Sequence, residues 1–167
     1  MSKNTSLDIV KGAILLEHRG KALYDSVLMM SKLEEVKNLF QMLSREEEKH
    51  IQILNKQYTR LIKGKDIDVS QIESLDQLGT DHILSEEIID KVYGAGYEAA
   101  VISAAIEFEK KAVKYYSENS EKAGSESEKK IFSWLADWEK KHLYMLASID
   151  KELKEKIWYD NRFWPLD

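Results

Sequence analysis

Leu39-Phe40-Gln41-Met42-Leu43-Ser44-Arg45-Glu46-Glu47-Glu48-Lys49-His50 returns 92 residues later as Ile131-Phe132-Ser133-Trp134-Leu135-Ala136-Asp137-Trp138-Glu139-Lys140-Lys141-His142. Both stretches repeat apolar residues at intervals of three and four, the period of a helix, and both end in Glu-x-x-His on that same stripe. Laid on itself at this offset, the chain matches from residue 9 to residue 63 without a gap. Ala13, Ile14, Glu17, Tyr24, Glu34, Lys37, Phe40, Leu43, Glu47, Lys49, His50, Leu54 and Leu61 meet identical residues. Their counterparts are Ala105, Ile106, Glu109, Tyr116, Glu126, Lys129, Phe132, Leu135, Glu139, Lys141, His142, Leu146 and Leu153. One element is used twice.

Each copy reads as a helical hairpin. Val10, Ile14, Glu17, Tyr24 and Leu28 form one stripe, and Val36, Leu39, Phe40, Leu43, Glu47, His50 and Leu54 form the next. The break between them falls near Ser31, where Ser31 and Glu34 have the spacing of a capping box; Ser125 and Glu128 repeat it after Gly124. The second helix is expected to end near Lys63, with Gly64 as a left-handed cap. The turns lie midway between Glu17 and Glu47 and midway between Glu109 and Glu139, so each hairpin sets two glutamates level on facing helices. A crossover of about 30 residues, roughly 65–94, joins the hairpins and is long enough to run the length of the bundle. It has room for a short helix around Leu84–Tyr93, with Gly94 and Gly96 marking the break before helix three. The expected fold is all-α: a four-helix bundle over 1–157, followed by an aromatic tail, 158–167.

Composition agrees. The 167 residues are 43% apolar, enough for a core, and hold seven glycines and a single proline, Pro165. A net charge of -5 argues against a nucleic-acid partner, which needs a basic face. Without cysteine, thiol catalysis, disulfides, iron–sulfur clusters and cysteine zinc sites are excluded within these residues. No apolar run approaches a membrane span and the N-terminus lacks a signal-peptide core, so a cytoplasmic protein is expected.

Four glutamates and two histidines on the inward stripes of a bundle are costly unless compensated, because like charges in low dielectric repel and protonate. Two divalent cations balance four carboxylates, and neutral imidazoles complete the ligation. Oxygen and imidazole donors without thiolate suit iron or manganese, and zinc is also compatible. The candidate ligands are Glu17, Glu47, His50, Glu109, Glu139 and His142. Glu46 and Glu48 flank Glu47 and belong to the surface or to the layer behind the ligands. Glu107 points away from the stripe, and His18 and His82 are expected to be exposed. Tyr24 and Tyr116, each seven residues after a ligand glutamate, are either core aromatics or donors that orient a ligand carboxylate.

One Glu from each of two helices plus Glu-x-x-His from each of the other two is the ligand pattern of ferritin-like dimetal bundles. The chain resembles the rubrerythrin branch of that superfamily, most closely at Ala105-Ile106-Glu107-Phe108-Glu109-Lys110-Lys111-Ala112-Val113-Lys114-Tyr115-Tyr116 and at Arg45-Glu46-Glu47-Glu48-Lys49-His50. The likeness covers about residues 7–156. It implies two iron ions and a diiron oxidoreductase of oxidative stress that reduces hydrogen peroxide or dioxygen. Glu47 and Glu139 would be the bridges and the histidines terminal ligands. Rubrerythrins usually add a cysteine-ligated rubredoxin module; none is encoded in these residues, so an external electron donor such as a rubredoxin is expected. They also tend to carry a further glutamate one turn after the helix-three ligand, where Ala112 stands here. The alternatives are a ferroxidase or iron-handling protein and a non-catalytic helical interaction module. A homodimer is the expected assembly. The stretch from Trp158 to Pro165 is read as folding back on the bundle, or else as a dimer interface or a lid over the site.

Overall fold

The computed structural model describes residues 3–70, 72 and 96–159, with side chains described for 5–70, 72 and 96–155. Four helices carry them: α1 (Lys3–Met30), α2 (Glu34–Ile62), α3 (Gly96–Glu121) and α4 (Glu126–Tyr159). Among the described residues there is no strand. Helix α1 pairs along its length with α2, and α3 with α4; the hairpins meet where α1 approaches α3. The all-α, ferritin-like bundle of two repeated hairpins expected from the repeat is the fold observed. The short helix expected around Leu84–Tyr93 and residues 160–167 of the aromatic tail lie outside the described residues; Trp158 and Tyr159 continue α4.

The apolar stripes converge into two clusters, one toward each end of the bundle. Tyr24, Phe40, Leu43, Ile102, Leu146 and Ile149 anchor one, and Val10, Leu54, Tyr116, Ile131, Phe132 and Leu135 the other. Each draws on all four helices, and each mixes the two copies of the repeat. The polar layer of glutamates and histidines lies between them along the stripes. Burying a large apolar side chain contributes roughly 1.5–3 kcal/mol, so the clusters hold the helices on either side of a layer that repels itself.

The helix ends follow local chemistry. Gly64 sits at φ 73, its N–H donates to the Leu61 carbonyl (3.0 Å), and the Lys65 N–H donates to the Arg60 carbonyl (3.0 Å). This is the two-bond left-handed stop that glycine favours. Just beyond it, Gln57 accepts from the Asp68 N–H (2.8 Å) and donates to the Asp68 carbonyl (2.9 Å), so Ile67 and Ile72 cover the end of the second cluster. At the start of α4 Ser125 caps as expected, its Oγ accepting from the Glu128 N–H (3.2 Å), while the Glu128 side chain reaches one residue further back and accepts from the Gly124 N–H (2.8 Å).

The first box does not form as expected. The Ser31 N–H still closes onto the Val27 carbonyl (2.8 Å), so Ser31 belongs to the exit of α1, and Leu33 takes the N-cap position of α2 without a side-chain cap. Ser31 Oγ instead donates to buried Glu98 of α3 (2.8 Å) and accepts from the Leu33 N–H (3.2 Å). At the other end of the bundle Ser6 of α1 donates to Glu128 of α4. A tie between hairpins outweighs a local cap.

No atom lies within 4 Å of where a Gly64 Cβ would stand, so Gly64→Ala isolates the backbone cost of a left-handed residue. Chemical denaturation should show a loss of about 1 kcal/mol without change in the cooperativity of unfolding.

Candidate metal centre

Helix α1 contributes Glu17, α2 Glu47 and His50, α3 Glu109, and α4 Glu139 and His142; each is at most 1% exposed. Glu47 and His50, and likewise Glu139 and His142, are three residues apart and so share a face. His50 Nδ1 lies 3.1 Å from Glu17 Oε2, 3.1 Å from Glu139 Oε1 and 3.8 Å from Glu47 Oε2. His142 Nδ1 lies 3.1 Å from Glu139 Oε2, 3.4 Å from Glu109 Oε1 and 3.6 Å from Glu47 Oε1. Two groups result, Glu17–Glu47–His50–Glu139 and Glu47–Glu109–Glu139–His142, whose donor atoms lie within 4.8 Å of one another. Glu47 and Glu139 belong to both. The imidazoles stack with centroids 6.3 Å apart.

The electrostatics are those of an anionic cage closed by protons. Burial and then Glu139 and Glu17 push Glu47 well above the usual carboxylate range. Burial and Glu139 also raise Glu109, to about 8. Burial opposes the ionised form of His50, but Glu139 and Glu17 outweigh it and carry its pKa to about 10. For His142 burial is outweighed in the same way by Glu109, Glu139 and Glu46. Glu139 stays ionised against its burial because both histidines flank it.

These residues fit a cation pair. Glu47 Oε1 and Glu109 Oε2 are buried acceptors without a hydrogen-bond partner, although acceptors in a protein interior are nearly always satisfied. Four carboxylates and two imidazoles could hold two divalent ions with the charge balanced, and such binding would displace the protons that now neutralise the cage.

A layer behind the six fixes their orientation. The Tyr24 hydroxyl donates to Glu109, and the Tyr116 hydroxyl donates to Glu17. Each tyrosine thus serves the glutamate of the other hairpin. Of the two readings of these tyrosines, the one as carboxylate donors matches the contacts, and both rings are core residues as well. Glu46 is 8% exposed, and its Oε2 accepts from His142 Nε2 (2.5 Å) and from Trp138 Nε1 (3.1 Å). Trp134 and Trp138 stand edge-on to the His50 ring, with centroids 5.6 and 5.8 Å away.

The six residues named from the sequence therefore come together. Glu107 is exposed and pairs with Lys110, and His18 is exposed, as expected; His82 lies outside the described residues. Ala112 is 1% exposed among apolar neighbours and offers no oxygen donor. The tryptophans beside His50 and the placement of Glu46 behind His142 were not specified by the sequence reading. The available signal was a lapse in the repeat, since position 46 is Glu and its counterpart 138 is Trp.

Fold and cage together define a four-helix bundle with a buried carboxylate–histidine centre able to hold metal. The chain belongs to the rubrerythrin family, whose model matches residues 8–150. No curated protein and no solved structure matches it. No helix among the described residues is long and apolar enough to cross a membrane.

Two outcomes follow for the metal-free chain. His50, raised from 6.5 to about 10, gives stability that is complete below pH 6.5 and lost as pH rises toward 10. Glu109, raised from 4.5 to about 8, gives stability that is lost between pH 4.5 and 8. Both have the same sign, so with a chelator present the melting temperature should fall steadily from about pH 6 to 9; a rise over that interval would contradict the proton-closed cage. Tyr24→Phe removes the donor to buried Glu109, and urea unfolding of the metal-free protein should register a loss of about 1–3 kcal/mol.

Proposed function

We propose that this protein is a diiron-carboxylate oxidoreductase that reduces hydrogen peroxide or dioxygen with electrons from a separate donor. The observation that carries the reading is the cage itself: two donor groups sharing Glu47 and Glu139, enclosed by helices of a family that binds iron. Glu17 and His50 with the shared pair would hold one ion, and Glu109 and His142 with the same pair the other. Two iron ions held in this way would supply two electrons to an O–O bond and then be reduced again. For peroxide the balance is one H2O2, two protons and two electrons to two waters.

The remaining work falls to the chain. Tyr24 and Tyr116 hold Glu109 and Glu17 in fixed orientations, so the donor atoms need little rearrangement on loading. Glu46, accepting from Nε2 of His142, leaves Nδ1 of that ring to face the cage. Burial of all six residues excludes bulk water and favours a substrate the size of peroxide or dioxygen over anything larger. Ala112 supplies no additional carboxylate, so the chemistry must run on the six residues alone. No cysteine is present in these residues to bring a reductant of its own.

A domain spanning 1–157, a homodimeric assembly and a rubredoxin-like donor complete the proposal. Ferroxidase or iron handling is the second reading, supported by the same shared-carboxylate cage. Storage needs a closed shell of many subunits, so a monomer or dimer on size exclusion would remove it. For the first reading, the iron-loaded protein is reduced anaerobically and then given peroxide. The iron(III) absorption should bleach on reduction and return within mixing time, and a reduced spectrum indifferent to peroxide would refute peroxide reduction.

A further inference from the structure

The two halves of the cage repeat each other in the six ligands and both tyrosines, yet differ behind the histidines. Position 46 and its repeat mate 138 face each other across the line relating the hairpins, near enough for Trp138 Nε1 to donate to Glu46 Oε2 at 3.1 Å. Two carboxylates sharing this buried corner would repel with little water between them, so a second acid at position 138 would carry a cost. The chain puts Glu in the first copy and Trp in the second, and one turn earlier it matches Met42 with Trp134.

The consequence falls on the ring nitrogens turned away from the cage. His142 Nε2 donates to Glu46 at 2.5 Å. Once the ring is neutral, as a ligand must be, this contact selects the tautomer that leaves Nδ1 without a proton and makes that nitrogen a better donor to a cation. His50 Nε2 is buried among indoles with no hydrogen-bond partner. Nothing behind the ring favours a proton on Nε2, and binding a cation through Nδ1 leaves a buried N–H unsatisfied.

We infer that the two half-sites are unequal, that the half containing His142 and Glu109 takes the first divalent cation, and that Glu46 is the positioning residue that sets this order. The inference rests on the dimetal reading of the cage. An acid behind a metal-binding histidine contributes roughly ten- to a hundredfold in affinity, and that is the expected gap between the first and second binding constants.

Metal-free full-length protein titrated anaerobically with cobalt(II), followed by calorimetry and by the cobalt visible bands, should give two constants at least about tenfold apart. Glu46→Gln should weaken the first constant by about ten- to a hundredfold and bring it close to the second. Two indistinguishable constants in the unaltered protein, or a first constant unmoved by Glu46→Gln, would overturn the inference while leaving the dimetal reading intact. A chain that takes up no cobalt would overturn both. A second measurement needs no variant: as zinc is added, the imidazole nitrogen resonances of His142 should shift during the first equivalent and those of His50 during the second. Parallel movement of both rings overturns the order.

Discussion

Repulsion among four carboxylates in the middle of the bundle is the constraint to which the surrounding residues answer. Two unit charges 4 Å apart interact by about 4 kcal/mol at an effective dielectric near 20, and several such pairs exceed the roughly 5–15 kcal/mol by which a domain of this size is stable. A single hydrogen bond, worth about 1 kcal/mol net, cannot offset that. Compensation comes from protons, on Glu47 and Glu109 as well as on His50 and His142, or from metal cations in their place. The apolar clusters to either side and the Ser31–Glu98 and Ser6–Glu128 ties keep the helices in place whichever of these is present.

Duplication explains how the cage is assembled with few parts. One hairpin supplies Glu plus Glu-x-x-His, a half-site that cannot satisfy itself. Its shared carboxylate and its tyrosine both act across the hairpin boundary: Glu139 lies beside His50, Tyr24 binds Glu109, and Tyr116 binds Glu17. The same reciprocity couples the chemistry to the fold, because separating the hairpins dismantles the site. Where the two copies would have brought like groups together, at positions 46 and 138, the repeat is broken.

Much of this could be read in the sequence because a helix turns spacing into direction. Glu17, Glu47, His50, Glu109, Glu139 and His142 all lie on apolar stripes, and register with the repeat made them a set. Gly64 and the Ser125 cap were legible because a left-handed stop and an N-cap are local devices. Ser31 departs from its local spacing for the opposite reason: its hydroxyl answers to Glu98, 67 positions away in the chain, and local spacing carries no information about that partner. Glu46 could be narrowed only to the surface or the layer behind the ligands, since an angle of 100° around a helix does not say which neighbour waits there. The tryptophans beside His50 were hidden among ordinary core aromatics.

The chemistry of the cage turns on whether cations take the place of its protons. The direct measurement is metal content per chain by elemental analysis, together with native mass, after expression in iron-supplemented medium. The account predicts about two metal ions per chain, predominantly iron, and their loss when Glu47 and Glu139 are both replaced by Gln. A folded native chain holding no stoichiometric metal, or one whose metal content is indifferent to those replacements, would contradict it.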